Sequence, residues 1–317
     1  MNIAFWTPQL CERGTSISLY DYAYYNQILL NNKSFIFYEK NNQNNNLQVI
    51  NKFNKQFIVN PLINFEETEH YINKYDITHI YIIKYGLNDL QLSKIAKNCI
   101  HCVFDCGQPH GEIYTSISNK VFNYNNNIKV VPHMINLPNH PDEYNMREEL
   151  NIPKNAVIFG GYGGKYSFNI TWVQLLVYEV AKYFPNIYFL FANFAPFCLT
   201  LPNIIHLSAI IDTNEKVKFI NTCDAMLWGR MDGESFGISI GEFSSKNKPI
   251  IATATNIGFT AHVEILKDKA IWYNDKESLL NILLSFNPEI EKKKDWNAYK
   301  DYTPEKVMKI FNETYLQ

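Results

Sequence analysis

Glu234 and Glu242 stand eight residues apart and bracket Ser235-Phe236-Gly237. Apolar runs at 225–228 and 249–254 flank them. The pattern predicts a strand, a loop, a helix start, a helix and a second strand. A helix start offers unused backbone N–H groups and the positive end of the helix dipole, which suit an anion. Two carboxylates beside it accept hydrogen bonds from hydroxyls. A phosphate next to a polyol is the chemistry of a nucleotide sugar. Arg230 lies four residues before Glu234, and Gly160, Gly161, Gly163 and Gly164 run into Lys165. Glycines let a backbone approach phosphate closely.

Those residues need elements to hold them. Strand candidates fall at 3–6, 35–38, 56–59, 79–84, 100–104 and 129–132. Helix candidates fall between them at 16–30, 66–74, 90–98 and 112–122. Residues 136–143 are rich in Pro, Asn and charge and read as a linker. After a short helix at 147–150, strands recur at 157–160, 187–191, 204–207, 225–228, 249–253 and 270–273. Helices are expected at 170–183, 213–222, 236–247, 277–285 and 304–315. Alternating strands and helices imply parallel sheets covered on both faces. The fold class is therefore α/β, with two Rossmann-like doubly wound domains facing across a cleft. The expected boundaries are 1–138 for the first, 145–300 for the second, and 301–317 for a terminal helix that crosses back to the first. Ligands of such sheets sit beyond the carboxyl ends of the strands.

Two loops of the first domain follow strands and so belong at that end. One carries Arg13, Gly14 and Thr15, where Thr15 or Ser16 can cap the next helix and Arg13 can hold an anion. The other carries Asp105 and His110.

Composition removes several functions. A chain of 317 residues with 46% hydrophobic and 19% charged residues can bury a sizeable core. A formal charge of −2 gives no signature of nucleic-acid binding. No apolar run approaches the ~20 residues of a membrane span, and the N-terminus reads as a first strand. A cytoplasmic address is the expectation, with peripheral membrane contact left open. The six cysteines form no disulfide framework. Cys99, Cys102 and Cys106 would not share one face of a strand, so no metal is assigned to them. Asparagine fills about one position in eight, a bias read as codon usage, so residues 41–46 are treated as a plain surface loop. The aromatics, 15% of residues, are read mainly as core and surface filler.

The segment Glu234-Ser235-Phe236-Gly237, followed by Glu242 and the strand Pro249-Ile250-Ile251, resembles the donor-binding motif of GT-B glycosyltransferases. The likeness is nearest to the retaining family-4-type enzymes. It implies a GT-B fold and transfer of a sugar from a nucleoside diphosphate donor to an acceptor hydroxyl. It assigns Glu242 to the donor ribose, Glu234 to the donor sugar, and the backbone at Ser235, Phe236 and Gly237 to the diphosphate. Ser235 reads as the N-cap of that helix, with Glu242 about two turns in. Residues 132–136 occupy the position of a Pro-Asn-Gly-Val-Asp-like turn in the family, but His133 and Met134 replace Asn and Gly. The family's Gly-Arg at the first strand of the second domain is Gly160-Gly161 here, so Arg230 is the expected substitute for the missing cation, beside Lys165 and Gly163. Several enzymes of the family place a His or Asp that contacts the sugar near the loop of Asp105 and His110, which makes these two the candidates here.

The resemblance further implies a retaining reaction without cofactor or metal, consistent with the absence of any Asp-x-Asp in the sequence. The acceptor is a glycan, a lipid or another hydroxyl compound. Rival readings are an epimerase or phosphorylase on the same fold, and a non-catalytic sugar-nucleotide-binding protein. A dinucleotide-dependent oxidoreductase is disfavoured, because Tyr166 stands where the third glycine of Gly-x-Gly-x-x-Gly would be.

Overall fold

The computed structural model describes residues 1–254 and 257–317. In the first part the chain forms β1 (Asn2–Thr7), α1 (Gly14–Ile28), β2 (Lys33–Glu39), α2 (Leu47–Asn54) and β3 (Ile58–Leu62). It continues through α3 (Thr68–Lys74), β4 (His79–Lys84), β5 (Lys97–Cys102), β6 (Ile113–Ser116) and β7 (Lys129–Val130). Then come β8 (Val157–Tyr162), α4 (Thr171–Tyr183), β9 (Ile187–Ala192), β10 (Ile204–Leu207), α5 (Thr213–Thr222) and β11 (Ala225–Leu227). These are followed by β12 (Gly233–Glu234), α6 (Ile238–Ser245), β13 (Ile250–Ala252), β14 (Phe259–Thr260), α7 (Ala261–Leu266), β15 (Ile271–Trp272), α8 (Lys276–Ser285) and α9 (Pro288–Glu291). The chain ends with α10 (Pro304–Phe311) and a π-helical turn, Asn312–Leu316. It divides into two compact units, Met1–Met134 with Tyr302–Gln317, and Ile135–Asp301.

The first unit is built on a parallel sheet ordered β3-β2-β1-β4-β5-β6-β7 among the described residues. Successive side chains of a strand face opposite ways. Ala4, Trp6, Ile80 and Ile82 accordingly pack with Phe65 and Ile72 on one face. Phe5 and Tyr81 meet Tyr22 of α1, Phe311 of α10 and Tyr315 on the other. Both faces are apolar, so the strands read as continuous hydrophobic runs. Strand order reverses between β1 and β4.

The second unit holds a parallel sheet ordered β10-β9-β8-β11-β13-β15. Val173, Leu176, Val177 and Val180 recur at helical spacing along α4 and cover Phe159, Phe189 and Phe191. Order reverses between β8 and β11, so the crevice of this sheet opens beyond Tyr162 and Leu227.

Three expected helices are absent. Residues 90–98 form an irregular segment entering β5. Ser93 Oγ accepts from the amides of Ile95 and Ala96, while Asn98 Oδ1 accepts from the Ser93 amide and its Nδ2 donates to the Ser93 carbonyl. Such side-chain bonds offer the backbone an alternative to helix. Residues 112–122 hold β6 and turns: Ile113, Tyr114 and Thr115 are strand formers, Ser116 Oγ donates to the Ser118 carbonyl and accepts from the Ser118 amide, and Ser118 Oγ accepts from the Lys120 amide. Residues 147–150 make only a turn, in which Arg147 reaches Asp224 and the Ala156 carbonyl. Two strands shift, to Ile58–Leu62 from 56–59 and to Lys97–Cys102 from 100–104.

Burial shapes the pH response. Desolvation lowers six of the eight histidines below their ordinary value: His79, His101, His110, His133, His206 and His262. His101, which shares a 2.6 Å hydrogen bond with Tyr81 Oη, is pulled down to about 3. A depressed histidine stabilises the fold fully above the free imidazole value, ~6.5, and that contribution is lost as pH falls toward the folded value. The unfolding free energy should therefore drop between pH 6.5 and 5, where carboxylates are still ionised, by about 1.4 kcal/mol per pH unit for each fully buried imidazole. Urea titrations across that range measure the drop, and a flat profile would contradict it.

Candidate functional site

The Glu-x7-Glu segment is built around a left-handed glycine. Gly237 has φ +85° and caps α6, so the helix starts at Ile238. That is two residues later than expected, and Ser235 is not its cap. The first helical bond runs from the Gly241 amide to the Gly237 carbonyl. The amides of Ile238, Ser239 and Ile240 precede it, and they are the N–H groups that the helix start offers to a ligand. Ser235 and Phe236 are buried, and the Phe236 carbonyl accepts from Tyr299 Oη at 2.9 Å. Glu242 is the fifth residue of α6, a little more than one turn in.

Each of the two acids is gripped on both oxygens. Glu242 Oε1 accepts from Lys216 Nζ at 2.8 Å, and Oε2 accepts from Tyr162 Oη at 2.6 Å. Lys216 comes from α5 and Tyr162 from the carboxyl end of β8, so three elements meet on this carboxylate. The Glu242 and Lys216 residues are only 4% and 5% exposed. Burial, and then the Glu242 charge, push the Tyr162 phenol well above its ordinary value, so it stays protonated and donates. Its ring packs on Phe219 and Phe243.

Glu234 sits in β12, which pairs with β14. Its Oε1 accepts from Trp228 Nε1 and its Oε2 from Arg230, each at 3.2 Å. Arg230 Nε also lies 3.8 Å from Asp232. The guanidinium is thus set against two carboxylates. The Trp228 ring lies tilted at 39° to that of His262, 4.5 Å between centres; burial holds this histidine below its ordinary value while the Glu234 charge pulls the other way.

The glycine-rich stretch is fixed by close packing. A Cβ on Gly160 would meet Cys223 Sγ at 2.2 Å, and one on Gly161 would meet the Leu227 carbonyl oxygen at 3.0 Å. Gly163 is closed in by Ser167 and Phe194, and its carbonyl accepts from Asn193 Nδ2 at 2.7 Å. Lys165 is exposed, with Nζ 5.5 Å from the Tyr166 ring centre, and its carbonyl accepts from the Ala195 amide.

The first-unit candidates lie at the carboxyl ends of β1 and β5. Arg13 is the N-cap residue of α1 and is exposed. Gly14 and Thr15 form the first turn, so neither Thr15 nor Ser16 caps the helix. Ser16 Oγ instead donates to the Gln9 carbonyl and accepts from the Cys11 amide. Asp105 Oδ1 is committed to its own loop, accepting from the Gly107 amide and from Asn123 Nδ2, both at 2.8 Å. His110 Nδ1 lies 2.7 Å from the Gln108 carbonyl, which can only accept, so the proton is on Nδ1. Its Nε2 is a buried lone pair without a hydrogen-bond partner among the described residues. Burial keeps this imidazole below its ordinary value and hence neutral.

The expected residues therefore fall in three places, one of them the start of α1, after β1, with Arg13, Gly14 and Thr15. Glu234, Arg230, Ser235, Phe236, Gly237 and Glu242 share the β11–α6 region with Tyr162 and Gly163 of the second unit. Asp105 and His110 share one loop of the first. Lys216, Tyr162 and Trp228 were not anticipated. Lys216 carried a signal: it shares the apolar face of α5 with Ile220, where an unpaired lysine is costly. Among the described residues, no group of three His, Cys, Asp or Glu side chains is arranged to hold a metal ion.

No protein-family model matches the sequence, and no curated protein does. Solved structures do. A glycosyltransferase from Rickettsia africae aligns over 99% of this chain and 98% of its own, with TM-score 0.70 and 14% identity. Anabaena HepE, solved with UDP-glucose, aligns over 99% of both chains with TM-score 0.70 and 12% identity. WaaG, a glycosyltransferase of lipopolysaccharide biosynthesis, aligns over 98% of this chain and 99% of its own, with TM-score 0.64 and 10% identity. With the two parallel sheets described above, these likenesses define the GT-B fold.

The packing at Gly161 has a measurable consequence. Gly161→Arg, which restores the family's cation, should destabilise the chain by about 1–3 kcal/mol, because its Cβ presses on the Leu227 carbonyl. Chemical denaturation tests this; unchanged stability would show that the strand ends yield easily.

Proposed function

We propose that the second unit binds a nucleoside diphosphate sugar and that the chain transfers its sugar to an acceptor hydroxyl. The observation that carries this reading is the paired acids. Each is held by two donors, beside a helix start, where the strand order reverses between β8 and β11. That HepE was solved with UDP-glucose on a similar fold supports a nucleotide sugar as donor.

In this reading Glu242 accepts from the ribose hydroxyls and Glu234 from the donor sugar. The amides of Ile238 to Ile240, with Lys165, meet the diphosphate and stabilise the charge that builds there as the anomeric C–O bond breaks. The acceptor oxygen forms the new bond from the same face. Its proton passes to a diphosphate oxygen, so configuration is retained and no metal is needed. His110 Nε2 accepts from a sugar hydroxyl. Arg13 and the first turn of α1, at Gly14 and Thr15, lie on the acceptor side. The acceptor is a glycan, a lipid or another hydroxyl compound.

Purified chain incubated with a panel of nucleotide sugars tests the reading. At least one should raise the thermal midpoint and be slowly hydrolysed, with retained anomeric configuration by NMR and no loss of rate in EDTA. Glu234→Ala should lower that rate at least about tenfold. No stabilisation and no hydrolysis with any donor would overturn it. His110→Ala should slow the reaction with little change in nucleotide affinity; equal loss of both would remove its assigned role.

A further inference from the structure

We propose that Lys216, together with Tyr162, is a positioning residue that holds the Glu242 carboxylate aimed at a vicinal diol, so that the site selects ribonucleotides over 2′-deoxyribonucleotides. The inference rests on the reading of Glu242 as the ribose acceptor and adds what makes that carboxylate competent.

Lys216 lies among Val217, Phe219 and Ile220 on the buried face of α5, and Glu242 lies between Gly241 and Phe243 on α6. An ion pair in such surroundings is a poor stabiliser, since the cost of removing two charges from water offsets their attraction. Apolar residues of similar size commonly do as well or better. What the pair supplies is a carboxylate of fixed orientation. An ionised carboxylate has about four lone-pair sites, two on each oxygen. Here one donor occupies each oxygen, Lys216 on Oε1 and Tyr162 on Oε2. One site therefore remains on each oxygen. Two acceptors on the two oxygens of one carboxylate match two neighbouring hydroxyls, the 2′ and 3′ groups of a ribose. Without Lys216 the buried carboxylate would lose the cation that orients it and would turn away. Without the Tyr162 hydroxyl one oxygen would lose its restraint.

The experiment compares dissociation constants of UDP, GDP and ADP with those of their 2′-deoxy forms for four proteins: wild type, Glu242→Ala, Tyr162→Phe and Lys216→Met. Wild type should prefer at least one ribo form by about tenfold or more, the worth of a hydrogen bond to a charged group. Glu242→Ala should abolish the preference. Tyr162→Phe removes one oxygen from a packed ring, so its thermal midpoint should stay near wild type while the preference falls toward that of Glu242→Ala. Lys216→Met should lose the preference as well. A Lys216→Met/Glu242→Leu double variant should be at least as stable as Lys216→Met yet show no preference, which separates binding from folding. If Glu242→Ala loses the preference while Tyr162→Phe and Lys216→Met both keep it, the positioning role is wrong. If Glu242→Ala itself keeps it, the ribose reading of Glu242 is what fails. Absence of binding by any of the six nucleotides would overturn both.

Discussion

An ammonium and a carboxylate placed on apolar helix faces have to find each other, and much of the second unit's geometry follows from that requirement. Lys216 draws α5, and Tyr162 draws the end of β8, onto one residue of α6. The register of α6 is thereby fixed against the sheet at the point where strand order reverses. The surrounding glycines fit the same constraint. Gly237 takes the left-handed turn that starts the helix, and Gly241 has no room for a side chain, because Ile135 and Tyr299 lie within 2.5–2.7 Å of where its Cβ would be.

The second acid is held differently. Glu234 is more open, and its partners, Trp228 and Arg230, come from the loop just after β11. Because Arg230 faces both Glu234 and Asp232, its charge is already compensated. Gly161 stands where the enzymes that the motif resembles carry an arginine, and the Leu227 carbonyl oxygen lies 3.0 Å from where its Cβ would be. A diphosphate at this site would depend on backbone amides more than on cations. Such amides need no reorganisation during a reaction, which makes this an adequate means of stabilising a leaving group.

Much of the fold was legible in the sequence. The helix periodicity of residues 171–183 and the apolar strands at β1, β4, β8, β9 and β11 follow from burial patterns that parallel sheets impose. The failures have a common physical origin. At residues 90–98 and 112–122, apolar spacing suggested helix, but Ser93, Asn98, Ser116 and Ser118 bond the backbone and divert it. In the candidate site, the spacing of Glu234 and Glu242 located the acids, while their donors came from distant positions. Lys216 is 26 residues from Glu242 and Tyr162 is 80, separations that a local motif cannot encode. Two opposite charges at otherwise apolar helix positions were the one available clue.

A nucleotide sugar bound on the β8 and β11 ends of the second unit, as proposed, would cover the backbone there. Hydrogen exchange of the intact chain, with and without UDP-glucose, GDP-mannose and ADP-glucose in turn, tests it directly. At least one donor should slow exchange at residues 160–165 and 228–242, with the amides of Ile238, Ser239 and Ile240 among the most protected. Protection by a donor confined to other segments, or none with any donor, would contradict it.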